Sequence, residues 1–346
     1  MSRFTVYNQI VTDQKLEQVN KDNIQLGEDW LDYLRSVDRS SQTIFAYQND
    51  LKIFWVWNLE YNGNKNFTKL TKRELAKFQN HALNKWGWSS NRIRRVKSTL
   101  SSLSNYIVNI LDDEEEFSDY KPIVKKIENP AKETVREKTI LSDEQVEKLL
   151  KTLVEMREYE AACGFAIAAY SGMRHAELLQ MKVEYFDEDH FVYNSMWKTD
   201  KIRAKGFGRN GKQINKFILY GAKPYIDLWL EERKKKKIYS EWLFVTYDVI
   251  KKTGDKLYHR RLDTSRWIKM AEEILNVDIY LHAFRHYTCT KLHKLNLPSH
   301  VIQEFFQWDS AEMLSIYNDL TAEDEFSKYF TKHGVKNIEK GSLNNV

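Results

Sequence analysis

The 346-residue sequence is poor in the residues that punctuate or crosslink a chain: four prolines, twelve glycines and two cysteines. So little Pro and Gly excludes a collagenous or low-complexity chain. Cys163 and Cys289 are too few for a disulfide framework, and one pair makes no zinc site, so a reduced cytoplasm and no metal are expected. No run approaches the ~20 consecutive apolar residues of a membrane span. The opening Met1-Ser2-Arg3-Phe4-Thr5-Val6 lacks the apolar core and small-residue cleavage site of a secretion signal. Nor is there a large excess of either charge. With 54 Lys and Arg against 49 Asp and Glu, the net charge of +5 permits a nucleic-acid partner without requiring one. What matters is where the cations cluster.

What is present is apolar and aromatic. Hydrophobic residues make up 42% of the chain, enough for a sizeable core, and the length predicts two domains. Ile44, Tyr47, Leu51 and Phe54 recur as one face of an amphipathic helix, which Ser40 or Ser41 can cap. Trp30, Leu31 and Leu34 mark an earlier helix; Leu75 and Phe78, then Val96, Leu100, Leu103 and Tyr106, mark later ones. Residues 23–111 therefore read as an all-helical bundle behind an N-terminal extension, 1–22. Asp112-Asp113-Glu114-Glu115-Glu116 breaks the pattern, because five like charges repel and do not pack. With Pro122 and Pro130, residues 112–139 read as a linker.

Ser142 and Gln145 then form a capping box ahead of Val146, Leu149 and Leu150. They open a second domain over 140–335, with 336–346 as a tail. It is mostly helical with one β-rich interval. Phe191-Val192-Tyr193 and Phe217-Ile218-Leu219-Tyr220 are strand-like, and Gly206, Gly208 and Gly211 turn a long hairpin between them. The expected fold class is mainly α with a small antiparallel β-hairpin or sheet: a helical domain followed by a mixed α/β domain.

Two segments are basic. Lys85, Arg92, Arg94, Arg95 and Lys97 occur without an acidic residue between Lys85 and Leu103. A helix with such a face can lie along a duplex, neutralise phosphates and release counterions; the plainer reading is a solvated face, although such faces usually mix signs. The run Arg233-Lys234-Lys235-Lys236-Lys237 reads as a solvated helix end, with phosphate contact as the alternative.

Three local signals carry chemistry. In Tyr170-Ser171-Gly172-Met173-Arg174-His175-Ala176-Glu177, a Gly turn leads into a helix with Arg174 and Glu177 on one face. In His282-Ala283-Phe284-Arg285-His286, His282 and Arg285 project together from one turn. A guanidinium fork takes two non-bridging oxygens of a phosphate while the imidazole reaches a third. The rival reading, His282 and His286 as metal ligands, lacks a Glu after the first His and a third ligand. Last come Gln307-Trp308-Asp309 and Tyr317.

In this order and spacing the residues resemble the tyrosine recombinase (phage integrase) family, whose signature runs Arg, Lys, His-x-x-Arg, His or Trp, then Tyr. Here it is carried by Arg174, His282, Arg285, Trp308 and Tyr317, while Thr43, Tyr47 and Leu51 resemble the family's core-binding domain. The resemblance implies a site-specific strand transferase of integrase or excisionase type. Tyr317 would form a 3′-phosphotyrosyl link, Arg174 and Arg285 would clamp the phosphate, and His282 would assist proton transfer. Trp308, replacing the second His, would pack against the nucleophile, and Glu177 would orient a neighbour. The catalytic lysine is assigned to Lys205, with Lys198 and Lys212 as alternatives. No cofactor, ATP or metal is implied. The partners implied are duplex DNA with specific sites, three further copies in a tetramer around a Holliday junction, and possibly a directionality factor. No membrane is involved, and the protein would work at the nucleoid. A tail helix bearing Phe326, Tyr329 and Phe330 would dock on a neighbour or fold back in cis. A type IB topoisomerase and a catalytically silent DNA-binding homologue are the alternatives.

Overall fold

The computed structural model describes residues 6–131, 139–206, 208, 211–251, 253–320, 330–331 and 334–335. The chain divides into two units, residues 1–137 with 205–211 and residues 138–204 with 212–346.

The first unit is helical: α1 (Val6–Ile10), α2 (Asp13–Gln18), α3 (Lys21–Ser36), α4 (Ser41–Tyr61), α5 (Lys72–Asn84) and α6 (Ser90–Ile110). Side-chain caps set the starts, because each accepts from a backbone N–H that would otherwise lack a partner. Ser40 caps α4, Ser89 caps α6, and Thr71 with Glu74 forms a capping box on α5. Ile53, Phe54, Trp55, Val56 and Trp57 of α4 are all buried. A helix apolar on every side sits at the centre of its bundle. Phe54 meets Phe78 edge-on at 5.0 Å, and Trp30 stacks on Tyr47 at 5.3 Å. The same core takes in Ile10, Val11, Val19 and Val124, with Phe117 and Tyr120 packed against it. Residues expected as an extension and as a linker thus pack into the core of the bundle.

The expected basic face of α6 is largely committed within this unit. Arg92 and Arg95 both pair with the fully buried Asp50, at 2.9 and 2.6 Å. Lys97 is buried and donates to the carbonyls of Ile127 and Glu128, and Arg94 donates to the Pro130 carbonyl. Lys85 and Arg95 keep exposed surface. The missing acidic residue of the segment is Asp50, supplied from another helix.

The second unit begins with α7 (Asp143–Glu155) and α8 (Tyr159–Ser171), followed by the single turn α9 (His175–Leu178). The capping box of Ser142 and Gln145 is present. Strands β1 (Phe191–Val192), β2 (Met196–Lys198), β3 (Ile202–Ala204), β4 (Lys212–Ile214) and β5 (Phe217–Leu219) come next. All pair antiparallel, as a three-stranded sheet β1-β2-β5 and a separate hairpin β3-β4. The expected long hairpin is therefore interrupted where Thr199 and Lys216 bond across it; Thr199 N–H donates to the Lys216 carbonyl at 2.9 Å. Its glycine turn lies partly outside the described residues.

After α10 (Lys223–Lys235) comes a second β interval absent from the sequence reading, the ribbon β6 (Val245–Val249) and β7 (Lys256–Arg260). It is exposed along most of both strands and so lacks the apolar alternation that marks a half-buried strand. Arg233, expected in solvent, is buried and donates to the carbonyls of Ser240 and Leu243.

Helices α11 (Ser265–Leu275), α12 (Leu281–Lys294), α13 (Ser299–Phe306) and α14 (Glu312–Tyr317) complete the unit. Helix α8 is rich in alanine, so α12 approaches closely enough for the Thr288 hydroxyl to donate to the Ala169 carbonyl at 2.9 Å. Phe330 lies in a short strand, β8 (Phe330–Thr331), paired with β9 (Gly334–Val335), and not in the expected helix. Phe326, Tyr329 and the tail 336–346 lie outside the described residues. The fold is mainly α with small antiparallel sheets. No helix among the described residues is long and apolar enough to cross a membrane.

Candidate active site

The site starts from the end of α8. Gly172 ends this helix in the left-handed region, at φ +60°, and a Cβ there would sit 2.3 Å from the Phe306 ring. Only glycine satisfies both conditions. Two residues on, Arg174 enters α9. Glu177, on that turn, accepts from the Arg174 backbone N–H and from its guanidinium, both at 3.0 Å. Arg174 is thereby held by its own helix turn, partly exposed.

Helix α12 supplies His282, Arg285 and His286. Arg285 has no exposed surface. One of its nitrogens, Nη1, donates to the Gly172 carbonyl at 2.8 Å, while Nε and Nη2 find no partner among the described residues. Its guanidinium carbon lies 4.8 Å from the Phe306 ring centre and 5.1 Å from those of Trp308 and Tyr317. Aromatic faces attract a cation but do not replace hydrogen-bond acceptors. Burial lowers the Arg285 pKa to about 10; Arg174 acts in the same direction, and Glu177 and Tyr317 oppose it.

Trp308 follows α13 and is pinned by two bonds with Gln303: its N–H donates to that carbonyl, and the Gln303 amide donates to its own carbonyl, both at 3.0 Å. Its ring lies between Phe306 and Tyr317, stacked at 4.4 and 5.2 Å, and its indole N–H is buried without a partner among the described residues. Tyr317, 5% exposed, ends α14. Its ring lies 5.3 Å from that of His282 and 4.9 Å from that of His286. Thr290 donates to the Tyr317 carbonyl and accepts from the Asp319 N–H, and the Asp319 carboxylate meets His286 Nδ1 at 2.8 Å. Arg174, Glu177, His282, Arg285, Trp308 and Tyr317, scattered through the sequence, thus come from one unit and surround one spot.

Burial pushes the His282 pKa down to about 4, and the neighbouring His286, Arg285 and Arg174 add to it. The imidazole is neutral at physiological pH and can accept a proton. In the unfolded chain it titrates near ~6.5. The unfolded state therefore binds a proton that the folded state refuses as pH falls from the unfolded value toward the folded one. Stability tied to this group is complete above that window and is lost through it. His282→Gln should show a shallower acid loss of stability, measured by urea unfolding at about pH 7 and about pH 5. A loss as steep as in the wild type would contradict the neutral imidazole.

The three candidate lysines differ. Lys205 is exposed in the turn after β3. Lys212 pairs with the Asp309 carboxylate beside Trp308. Lys198 lies on the face of β2 that also carries Met196, with its ammonium 5.9 Å from the Phe217 ring, and forms no ion pair among the described residues. Met196 and Phe217 belong to the apolar cluster that holds Trp308 and Tyr317. The strand register thus turns Lys198 to that apolar cluster, while the Lys205 side chain is exposed.

A lysine the sequence reading missed is Lys216. Its ammonium is 2% exposed and meets the 1% exposed Glu177 at 2.9 Å. Burial brings its pKa down to about 8, against the opposing pull of Glu177. For Glu177 the balance goes the other way. Burial raises the carboxyl, but Lys216 and the Arg174 backbone outweigh that and leave it below its ordinary value. No three His, Cys, Asp or Glu among the described residues are placed to hold a metal ion.

The Phage integrase family model matches residues 139–324. The SPbeta prophage-derived recombinase-like protein YomM of Bacillus subtilis (strain 168) is 29% identical over 238 residues, covering 68% of this chain and 69% of the relative. Two solved structures share the fold. A lambda integrase (75–356) dimer bound to a COC′ core site aligns with a TM-score of 0.59 at 14% identity, over 85% of this chain and 94% of that one. The XerH site-specific recombinase bound to palindromic difH substrate, a post-cleavage complex, aligns with a TM-score of 0.57 at 19% identity, over 82% and 77%.

Proposed function

The chain belongs to the phage integrase family, and from that premise we propose that it is a site-specific recombinase that cuts and rejoins duplex DNA through Tyr317. The observation that carries this reading is Arg285, a guanidinium without exposed surface and with two nitrogens unpartnered among the described residues, set beside that phenol. A buried cation short of acceptors is costly, and an arriving anion offsets that cost. A backbone phosphodiester is such an anion, and it gains charge on its non-bridging oxygens as it is attacked.

The Tyr317 oxygen bonds to phosphorus and the bond from phosphorus to the 5′-oxygen breaks, leaving a 3′-phosphotyrosyl link. Neutral His282 takes the phenolic proton, and Lys198 gives one to the leaving 5′-oxygen. Arg174 and Arg285 hold the non-bridging oxygens. Attack by a 5′-hydroxyl reverses each step, so the bond energy is conserved and no nucleotide is consumed. The helical unit binds the duplex with Lys85 and Arg95 as the exposed cations of its basic segment; Arg92, Arg94 and Lys97 support it through Asp50 and backbone carbonyls. Four copies act on two sites at the nucleoid, with a directionality factor as a further partner.

The test is a set of nicked duplexes tiled across the DNA flanking the gene, from which the wild-type protein forms a covalent adduct; no adduct on any of them would overturn the reading. The acid is identified on the same substrate. Lys198→Ala should slow cleavage by about 100-fold or more and regain most of it when the 5′-bridging oxygen is replaced by sulfur, a leaving group that needs no proton. Lys205→Ala should stay close to wild type. Sulfur rescue of Lys205→Ala and not of Lys198→Ala would assign the acid to Lys205.

A further inference from the structure

Lys216 is a buried titratable group that the cleavage chemistry does not use. Lys216 lies on the link between β4 and β5, and its backbone is clamped in both directions: its N–H donates to the Thr199 hydroxyl at 3.0 Å, and its carbonyl accepts from the Thr199 N–H at 2.9 Å. The Asn215 amide adds a bond to the Thr199 carbonyl at 2.6 Å. The strand next to Lys198 therefore holds the Lys216 side chain against Glu177. Glu177 is shared. One carboxylate oxygen serves the Arg174 guanidinium; the other serves the Arg174 backbone and the Lys216 ammonium.

We propose that Lys216 is a positioning residue for DNA cleavage, neutralising Glu177 from the buried side so that Arg174 keeps its guanidinium available to the scissile phosphate. The inference rests on the recombinase reading and adds a residue to it. Two cations share one carboxylate, so losing one of them leaves the other bound more tightly. Without the Lys216 charge, Glu177 draws Arg174 toward itself, and the phosphate competes with a carboxylate for the same fork. Lys216 itself is too buried to reach DNA.

The charge that does this is conditional. The groups facing the ammonium are Glu177 and Arg174 on the α9 turn and Arg285 on α12, with the Thr199 hydroxyl beside its backbone. The two arginines oppose its charge and Glu177 favours it, and burial brings its pKa to about 8. Cleavage should therefore fall as pH rises through that value, well below the usual range of a lysine or tyrosine.

Adduct formation by the full-length protein is followed in single turnover on the nicked flanking-DNA duplexes from about pH 6.5 to about pH 9.5. Lys216→Met is expected to bind the duplex as the wild type does and to form adduct about 10- to 100-fold more slowly. Lys216→Arg, which stays charged throughout, should keep the neutral-pH rate and lose the alkaline fall. A merely structural lysine would not move that limb of the profile. Wild-type rates from Lys216→Met, or an unchanged alkaline fall in Lys216→Arg, would overturn the inference alone. Should Lys216→Met fail to fold, the Lys216→Arg profile decides by itself. No adduct from the wild-type protein overturns the recombinase reading and this inference together.

Discussion

Tyr317→Phe should fold, bind DNA and form no covalent adduct, a loss of at least about 10⁴-fold in cleavage. The substitution removes one oxygen and keeps the ring, and it is the ring that packs: it stacks on Trp308 and closes over Arg285. The tie between the segment after α14 and α12 runs through the Tyr317 carbonyl, Thr290, Asp319 and His286, none of which the substitution touches. Thermal unfolding should therefore stay near wild type while the adduct disappears from denaturing gels. An adduct that survives would move the nucleophile elsewhere. Tyr287 is a poor replacement. Burial and its bond to Asp143 raise its phenol to about 12, so it ionises less readily than an ordinary tyrosine.

The second large effect separates activity from stability. Arg285→Met should lower cleavage by about 10²- to 10³-fold, the usual consequence of removing one donor from a charge-stabilising site. The same change should leave stability equal or higher. The wild-type core buries a guanidinium with one protein hydrogen bond and two nitrogens unpartnered among the described residues. Methionine fills similar space beside Phe306 and Trp308 and asks for no partner, at the cost of leaving the Gly172 carbonyl unpaired. Replacing buried ions by apolar side chains is often neutral or stabilising by about 1–4 kcal/mol. Urea unfolding and single-turnover cleavage measured on the same preparation test both halves. A clear loss of stability would mean that the guanidinium holds the fold together, and the case for a site kept open for an anion would fail.

Much of this was legible in the residues themselves. Ser40, Ser142 and Gln145 cap where their spacing puts them, because a helix start is a local event within four residues. His282 and Arg285 share a helix turn, so their separation in sequence already fixes their geometry. What was not legible depends on partners distant along the chain. Arg92 reads as a phosphate-binding cation until Asp50, on another helix, is seen beneath it. Lys216, between Asn215 and Phe217, carries no local signal; only the tertiary fold brings Glu177 to it. Lys205 stands out in the sequence because it precedes a glycine, whereas the face on which Lys198 lies is fixed only by the register of β2 on β5. The ribbon β6–β7 escaped because few of its side chains are buried, and the sequence signal for a strand is a signal about burial.

The left-handed residue at the end of α8 has one more consequence. Its carbonyl receives one arginine, and its chain direction launches the other two positions later. The gauge between the two charges is therefore a stretch of peptide, with no long side chain free to drift between them. A phosphorus atom arriving there meets a fixed spacing and does not have to assemble it, so the entropy of aligning those donors is spent when the protein folds and not at each strand exchange.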